Sequence, residues 1–202
     1  MLSRFLLILA FAAAPFTVSA ATILVFGDSL SAGYGLPQQS GWATLLEKRL
    51  RDEDFDYRVA NASMTGETTT GGASRIAGAL KTHRPDIVVL ELGANDGLRG
   101  LSVEAMRRNL EVMIEASRRA KAQVLLVGMR LPPNYGMAYT EKFQQTYVDL
   151  ARVKRTAFVP FLLEGFAEDT RFFQSDRVHP TGEAQALMLD TIWKGLKPLL
   201  KR

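Results

Sequence analysis

The stretch "TILVFGDSLSAGYG", Thr22 to Gly35, decides how the rest of the chain is read. It opens on β-branched and apolar residues, the composition of a strand buried on both faces. It then breaks into glycine, aspartate and serine, residues that end strands and build tight turns. Taken alone, Gly-Asp-Ser is ordinary turn chemistry. Placed past the first strand of an α/β sheet, Ser29 stands at the carboxyl edge, where such sheets bind ligands. A nucleophilic serine needs three things from elsewhere in the chain: a base for its proton, an acid to orient the base, and donors for an oxyanion.

Four further apolar runs follow: "DYRVANAS" (56–63), "DIVVLELG" (86–93), "QVLLVGM" (123–129) and "TAFVPFLL" (156–163). Helical patterns alternate with them. "SGWATLLEKRLRDE" starts at Ser40, a residue suited to an N-cap, and "ASRIAGALKTH" follows the second run. "SVEAMRRNLEVMIEASRRA" puts Val103, Met106, Leu110, Met113 and Ser117 on one face, with Ser102 as its cap. "TEKFQQTYVDLARVKR" gathers Phe143, Tyr147, Leu150 and Ala151, and a last helix from about Pro180 carries Leu187, Ile192 and Leu196. This alternation predicts an α/β fold with one five-stranded parallel sheet and helices on both faces.

The chain has 202 residues, 47% of them hydrophobic, and no cysteine. That length fits one domain with a substantial core. The lack of cysteine excludes a disulfide framework, a thiol nucleophile and a thiolate metal site. Residues 1–20 read as a separate object. Arg4 precedes the apolar run "FLLILAFAAA", and "VSA" before Ala21 is a small-x-small cleavage site. This is the pattern of a signal peptide, and the run is too short to span a bilayer. The expected organisation is a signal peptide over 1–20 and one domain over 21–202, periplasmic or secreted, with no stable membrane insertion after cleavage. The net charge of +4 is mild. Its basic cluster, "SRRAK" (117–121), closes a helix, where cations complement the dipole. Without aromatic interleaving it does not point to a nucleic-acid partner.

The chain offers two histidines as the base. His83 precedes the third strand, at the amino edge of the sheet, and reads as an exposed helix-end residue. His179, in "DRVHP", follows the fifth strand and can reach the carboxyl edge. Pro180 restricts its backbone and suits the first turn of a helix. Asp176, three residues before, can accept a bond from the imidazole Nδ1–H in a tight turn, fixing tautomer and orientation. Oxyanion donors are available past the next two strands. Gly66 in "NASMTGETT" can bring its N–H close to a substrate, and Asn95 in "LGAND" can donate from its side chain. With the Ser29 N–H they make three donors on one expected face.

The blocks "FGDSLS", the glycine of "NASMTGET", "GAND" and "DRVH" resemble, in order, the four signature blocks of the SGNH (GDSL) hydrolase superfamily. "GDSLSAGYG", "VANAS", "ELGANDGLRG" and "LPPNYG" resemble most its bacterial periplasmic thioesterase, lysophospholipase and arylesterase group, from about Thr22 to the C-terminus. The resemblance implies a flavodoxin-like three-layer α/β/α sandwich. It implies Ser29 as nucleophile, His179 as base, Asp176 as its orienting acid, and Ser29, Gly66 and Asn95 as the oxyanion hole. The substrate implied is a small-molecule acyl ester or thioester, with no metal or organic cofactor; a monomer is expected. Two departures stand out. Thr65-Gly66-Glu67 replaces a frequent Ser-Gly-Asp, and Ala94 takes the place of a common glycine, making the backbone before Asn95 less permissive.

Three other readings compete. An α/β-hydrolase needs G-x-S-x-G, and Gly27-Asp28-Ser29-Leu30-Ser31 does not supply it. A non-catalytic flavodoxin-like binding module would want a glycine-rich phosphate loop after the first strand, and none is present. A carbohydrate acetylesterase of the same superfamily keeps the machinery and changes the substrate. Leu98, Leu101, Leu131 and Pro132 are available as apolar lining for an acyl chain. Gly97 and Gly100 would give the segment around Leu98 a flexible, closable loop.

Overall fold

A computed structural model describes residues 20–202, so the expected signal peptide, apart from Ala20, lies outside the described residues. Five strands form one sheet: β1 (Ala21–Gly27), β2 (Tyr57–Asn61), β3 (Ile87–Glu91), β4 (Gln123–Val127) and β5 (Ala157–Val159). All neighbours pair in parallel, in the order β2-β1-β3-β4-β5. The helices are α1 (Ser29–Ala32), α2 (Trp42–Asp52), α3 (Thr69–His83), α4 (Ala94–Leu98), α5 (Val103–Arg119), α6 (Met137–Lys154) and α7 (Ala184–Leu196). α3, α5 and α6 pack along one face of the sheet, and α2 and α7 pack against each other on the other. The result is an α/β/α sandwich with the flavodoxin-like strand order. Every residue of β3, and all of β1 after Ala21, is buried. That is why those strands read as continuous apolar runs.

The topology selects one place for a site. From β1 the chain turns outward to β2 and then crosses back to β3. The strand order therefore reverses at β1, and the crevice between the carboxyl ends of β1 and β3 is the switch point of the sheet. α1 begins two residues after β1, and α4 three residues after β3. Among the described residues no helix is long and apolar enough to cross a membrane.

Several boundaries differ from the sequence pattern, each for a local reason. Ser40 is not the cap of α2. Gly41 is, while the Ser40 hydroxyl donates to the Pro37 carbonyl at 2.6 Å. α3 starts at Thr69, four residues early, because the Thr68 side chain accepts from the Gly71 N–H. β5 stops at Val159 because Pro160 has no N–H for the ladder. α7 starts at Ala184 and not near Pro180, which pairs with Phe173 in an antiparallel bridge. Ser102 does cap α5, accepting from the Ala105 N–H at 3.3 Å.

Two glycines give opposite expectations on substitution. A Cβ at Gly128 would lie 2.5 Å from the Pro160 carbonyl oxygen, which is backbone and cannot swing aside. Gly78, exposed in α3, has nothing within 4 Å of the same position. Gly128→Ala is expected to cost about 1–3 kcal/mol, and Gly78→Ala to stabilise by about 0.5–1 kcal/mol through helix propensity. Chemical denaturation of both variants beside the wild type measures this. Equal effects would contradict it.

Candidate active site

The nucleophile candidate is set by the turn out of β1. A Cβ at Gly27 would lie 2.6 Å from Glu91 Oε2 and 2.8 Å from the Glu91 carbonyl, so only glycine lets β1 run this close to β3. Asp28 caps α1, its side chain accepting from the Leu30 N–H at 3.0 Å. Ser29 is the first residue of α1. Its N–H therefore falls among those that a helix cannot satisfy internally. Neither it nor the Gly66 N–H has a protein acceptor among the described residues.

The structure brings Ser29, His179 and Asp176 together. Ser29 Oγ lies 2.9 Å from His179 Nε2, and His179 Nδ1 lies 2.7 Å from Asp176 Oδ2. The other carboxylate oxygen, Oδ1, accepts from the N–H groups of Val178 and His179 at 2.9 and 3.0 Å. These bonds, the backbone N–H of His179 foremost and its imidazole next, hold the Asp176 carboxyl down at about 2. Asp176 thus stays an anion wherever the imidazole can act as a base.

The turn is anchored from outside by residues without a sequence signal of their own. The His179 carbonyl accepts from the Gln174 N–H at 2.7 Å. The Gln174 side chain donates to the carbonyls of Tyr34 and Pro180 at 2.8 and 3.1 Å. The Tyr34 ring lies 4.4 Å from the imidazole, centroid to centroid. A side chain at Gly35 would collide with Gln174 Oε1, at 2.2 Å, so "GYG" is shaped to receive this hairpin. His83 closes α3 at the opposite edge and is half-buried there, not exposed.

Gly66 and Asn95 flank the same crevice. Gly66 has φ +76, in the left-handed region that glycine enters freely. Asn95 sits in α4 and donates from Nδ2 to the Glu67 carbonyl at 3.0 Å and to Asp28 Oδ2 at 3.2 Å. α4 is held firmly. Gly93, at φ +123, leaves room for the Tyr147 hydroxyl, which donates to the Leu92 carbonyl at 2.9 Å. Asp96 accepts from the Thr69 N–H and hydroxyl at 2.8 and 2.6 Å, tying α4 to α3. Ala94 begins α4 in helical geometry, which alanine favours, so the departure from glycine there costs nothing visible. The expected flexible loop is in its first half a helix. Gly97 has Leu131 and Phe143 atoms within 2.7 Å of a would-be Cβ, and Tyr139 donates to the Leu101 carbonyl at 2.8 Å.

Beside Ser29 opens a cleft of about 430 Å³. Leu98, Leu131 and Pro132 line it; Leu101 does not, and is 42% exposed. Leu101 lies past α4, on the far side of Gly100 (φ +64), which turns the chain away. Most of the remaining apolar wall comes from segments after β4 and β5: Met129, Phe161, Leu163, Phe173 and Val178. Met129, Phe161 and Leu163 fall in runs read as strands, which stop at Val127 and Val159 and leave them in loops; Phe173 and Val178 carry no periodic signal. Among the described residues no three His, Cys, Asp or Glu side chains are gathered as metal ligands.

Under Ser29 lies a pair of buried acids. Ser31 Oγ donates to Glu91 Oε2 at 2.6 Å, and the Asp28 N–H points to the same oxygen at 3.5 Å. Burial is the largest cause raising both groups, Asp28 to about 6 and Glu91 well above the usual carboxylate range. A raised carboxyl binds its proton more tightly folded than unfolded, so it destabilises the fold as pH rises from about 4 to about 6. Asp28→Asn is therefore expected to gain stability relative to wild type across that window, and to hold the gain above it. Thermal unfolding of both proteins at pH 4 and pH 7 checks this; a difference independent of pH would contradict it.

The sequence and its architecture have counterparts among known proteins. The model of the GDSL-like Lipase/Acylhydrolase family matches residues 25–187. "Esterase TesA" of Pseudomonas aeruginosa is 47% identical over 182 residues, covering 90% of this chain and 90% of that protein. "Thioesterase 1/protease 1/lysophospholipase L1" of Escherichia coli K12 is 37% identical over 196 residues, covering 97% and 91%. A crystal structure of TesA matches with a TM-score of 0.86 at 47% identity, over 89% of this chain and 99% of that one. With a family match across most of its length and relatives this similar, the chain belongs to the GDSL-like lipase/acylhydrolase family.

Proposed function

We propose that this protein hydrolyses acyl esters and thioesters through an acyl-enzyme on Ser29. The observation that carries the reading is the run of hydrogen bonds from Ser29 Oγ through His179 to Asp176, at 2.9 and 2.7 Å, beside a mostly apolar cleft. Ser29 Oγ attacks the acyl carbon while His179 Nε2 takes its proton. Asp176 holds the imidazole by Nδ1 and stabilises the cation that forms. The oxyanion is received by the N–H groups of Ser29 and Gly66 and by Asn95, which exchanges its bond to Asp28 for the new one. His179 then protonates the leaving oxygen or sulfur, and the acyl-enzyme forms. Water, deprotonated by the same imidazole, attacks in turn and releases the acid.

The cleft supports an acyl chain over a sugar. Leu98, Leu131 and Pro132 form part of a wall of apolar side chains, and each methylene buried against it contributes roughly 0.8 kcal/mol. Every member of the constellation comes from one chain, so the site needs no residue from a second copy. Residues 1–20, with their apolar run and small-residue cleavage site, support export to the periplasm or medium.

Ser29→Ala is expected to lower kcat for a p-nitrophenyl acyl ester and for an acyl thioester by roughly a thousandfold or more. Asp176→Asn is expected to lose about a hundredfold or more, since the wrong imidazole tautomer then faces the serine. Steady-state kinetics on folded, purified variants measure both. A Ser29→Ala variant with more than a tenth of wild-type kcat would exclude the acyl-enzyme.

A further inference from the structure

A partly buried charged side chain grips both ends of the segment that carries Gly66, yet takes no part in the steps above. Arg75 lies in the second turn of α3. Its Nη1 donates to the Ala62 carbonyl at 2.8 Å, and its Nε is ion-paired with the Glu67 carboxylate. Ala62 and Glu67 bracket the segment that carries Gly66. The guanidinium lies over the Phe26 ring, its Cζ 4.0 Å from the centroid. Phe26 is fully buried in β1, three residues before Ser29. Glu67, held by Arg75, is also the residue whose carbonyl accepts from Asn95 Nδ2 at 3.0 Å.

This is not an ordinary surface ion pair. The Arg75 and Glu67 side chains are 25% and 11% exposed, well below the exposure at which such pairs contribute little. The helix also makes room for it: a Cβ at Gly71 would lie 2.0 Å from Glu67 Oε1. The first half of the loop is already tied to β1, through Ala62 N–H to the Val25 carbonyl and Met64 N–H to the Gly27 carbonyl, at 2.9 and 3.0 Å. Its second half is held by a turn bond from Glu67 N–H to the Met64 carbonyl, an exposed bond from Arg99 to the Gly66 carbonyl and the bond from Asn95 to the Glu67 carbonyl. Arg75 adds an ion pair there, through the Glu67 carboxylate, and ties it to the Ala62 carbonyl of the first half.

We propose that Arg75 is a positioning residue for the oxyanion hole, fixing the Gly66 N–H through the flanking Ala62 carbonyl and Glu67 carboxylate, and the Asn95 amide through Glu67. The inference rests on the reading of Gly66 and Asn95 as oxyanion donors. Arginine is required because a planar fork can bond two acceptors and stack on a ring at once, whereas an ammonium is a single point charge. Preorganised donors act on the transition state and not on ground-state binding. The signature is thus a fall in kcat at nearly constant KM.

The test is a double-mutant cycle of Arg75→Met with Asn95→Ala, with Arg75→Lys alongside. It reads kcat and KM on a short p-nitrophenyl ester, the rate of phosphonylation by an alkyl fluorophosphonate, and thermal unfolding. Arg75→Met and Arg75→Lys are each expected to lower kcat and the phosphonylation rate by about tenfold or more, with KM within about threefold. In the Asn95→Ala background the loss from Arg75→Met is expected to shrink at least about threefold, because part of it is already gone. A lower melting temperature with unchanged kcat, or a loss of equal size in both backgrounds, would overturn the proposal. If Arg75→Met does not fold, Arg75→Lys and Glu67→Gln carry the same comparison. Wild-type kcat in Asn95→Ala would remove the oxyanion reading, and this proposal with it. A crippled Asn95→Ala beside Arg75 variants of full activity would remove this proposal alone.

Discussion

The bond between Ser29 Oγ and His179 Nε2 joins residues 150 positions apart, and the rest of the site is arranged around making it. Neither partner can be placed by its own neighbours in sequence. Ser29 is delivered by β1, the most deeply buried strand next to β3, so its position is as rigid as the sheet. His179 lies on a short hairpin with little core beneath it. That hairpin is therefore held from outside: by the Phe173–Pro180 bridge, by Asp176 across its tip, and by Gln174 reaching the Tyr34 carbonyl just past α1, the helix that carries Ser29. The two halves of the machinery are thus bonded to each other, not only to a common scaffold.

A second constraint follows from putting a polar turn at the centre of the sheet. Between β1 and β3 the carboxylates of Asp28 and Glu91 are buried with Ser31 and Asn95 as their side-chain partners, and burial raises both. These acids are costly in their charged form. What they provide is geometry. Asp28 caps α1 and holds Asn95, while Glu91 braces the Gly27–Asp28 backbone. The continuous apolar core around them, from Ile23 to Leu90 on the sheet and from Leu46 to Ile192 on the helices, supplies the stability that tolerates them.

Much of this was legible in the chain. Five buried strands separated by amphipathic helices dictate the sheet, and the carboxyl-edge rule then selects Ser29, Gly66, Asn95 and His179 over His83. What was not legible has one physical cause. Hydrophobic periodicity reports burial over several turns, and the site is built from pieces shorter than that. α1 and α4 have four and five residues and were not anticipated, although they carry Ser29 and Asn95. Pro180 suggested a helix start, but its missing N–H serves as well in a bridge. Leu101 was grouped with Leu98 by proximity in sequence, and the left-handed turn at Gly100 sends it away from the cleft. Gln174 and Arg75 are polar residues whose partners are distant carbonyls, and no local pattern encodes such a contact.

In the mechanism we propose, Ser29 is the acyl acceptor and His179 makes it reactive. Intact-protein and peptide mass spectrometry after treatment with an alkyl fluorophosphonate tests it most directly. The expected result is one adduct per chain, located on the peptide containing Ser29, with labelling slowed by orders of magnitude in His179→Ala. An adduct on a different residue, or undiminished ester hydrolysis by a protein fully labelled at Ser29, would contradict the account.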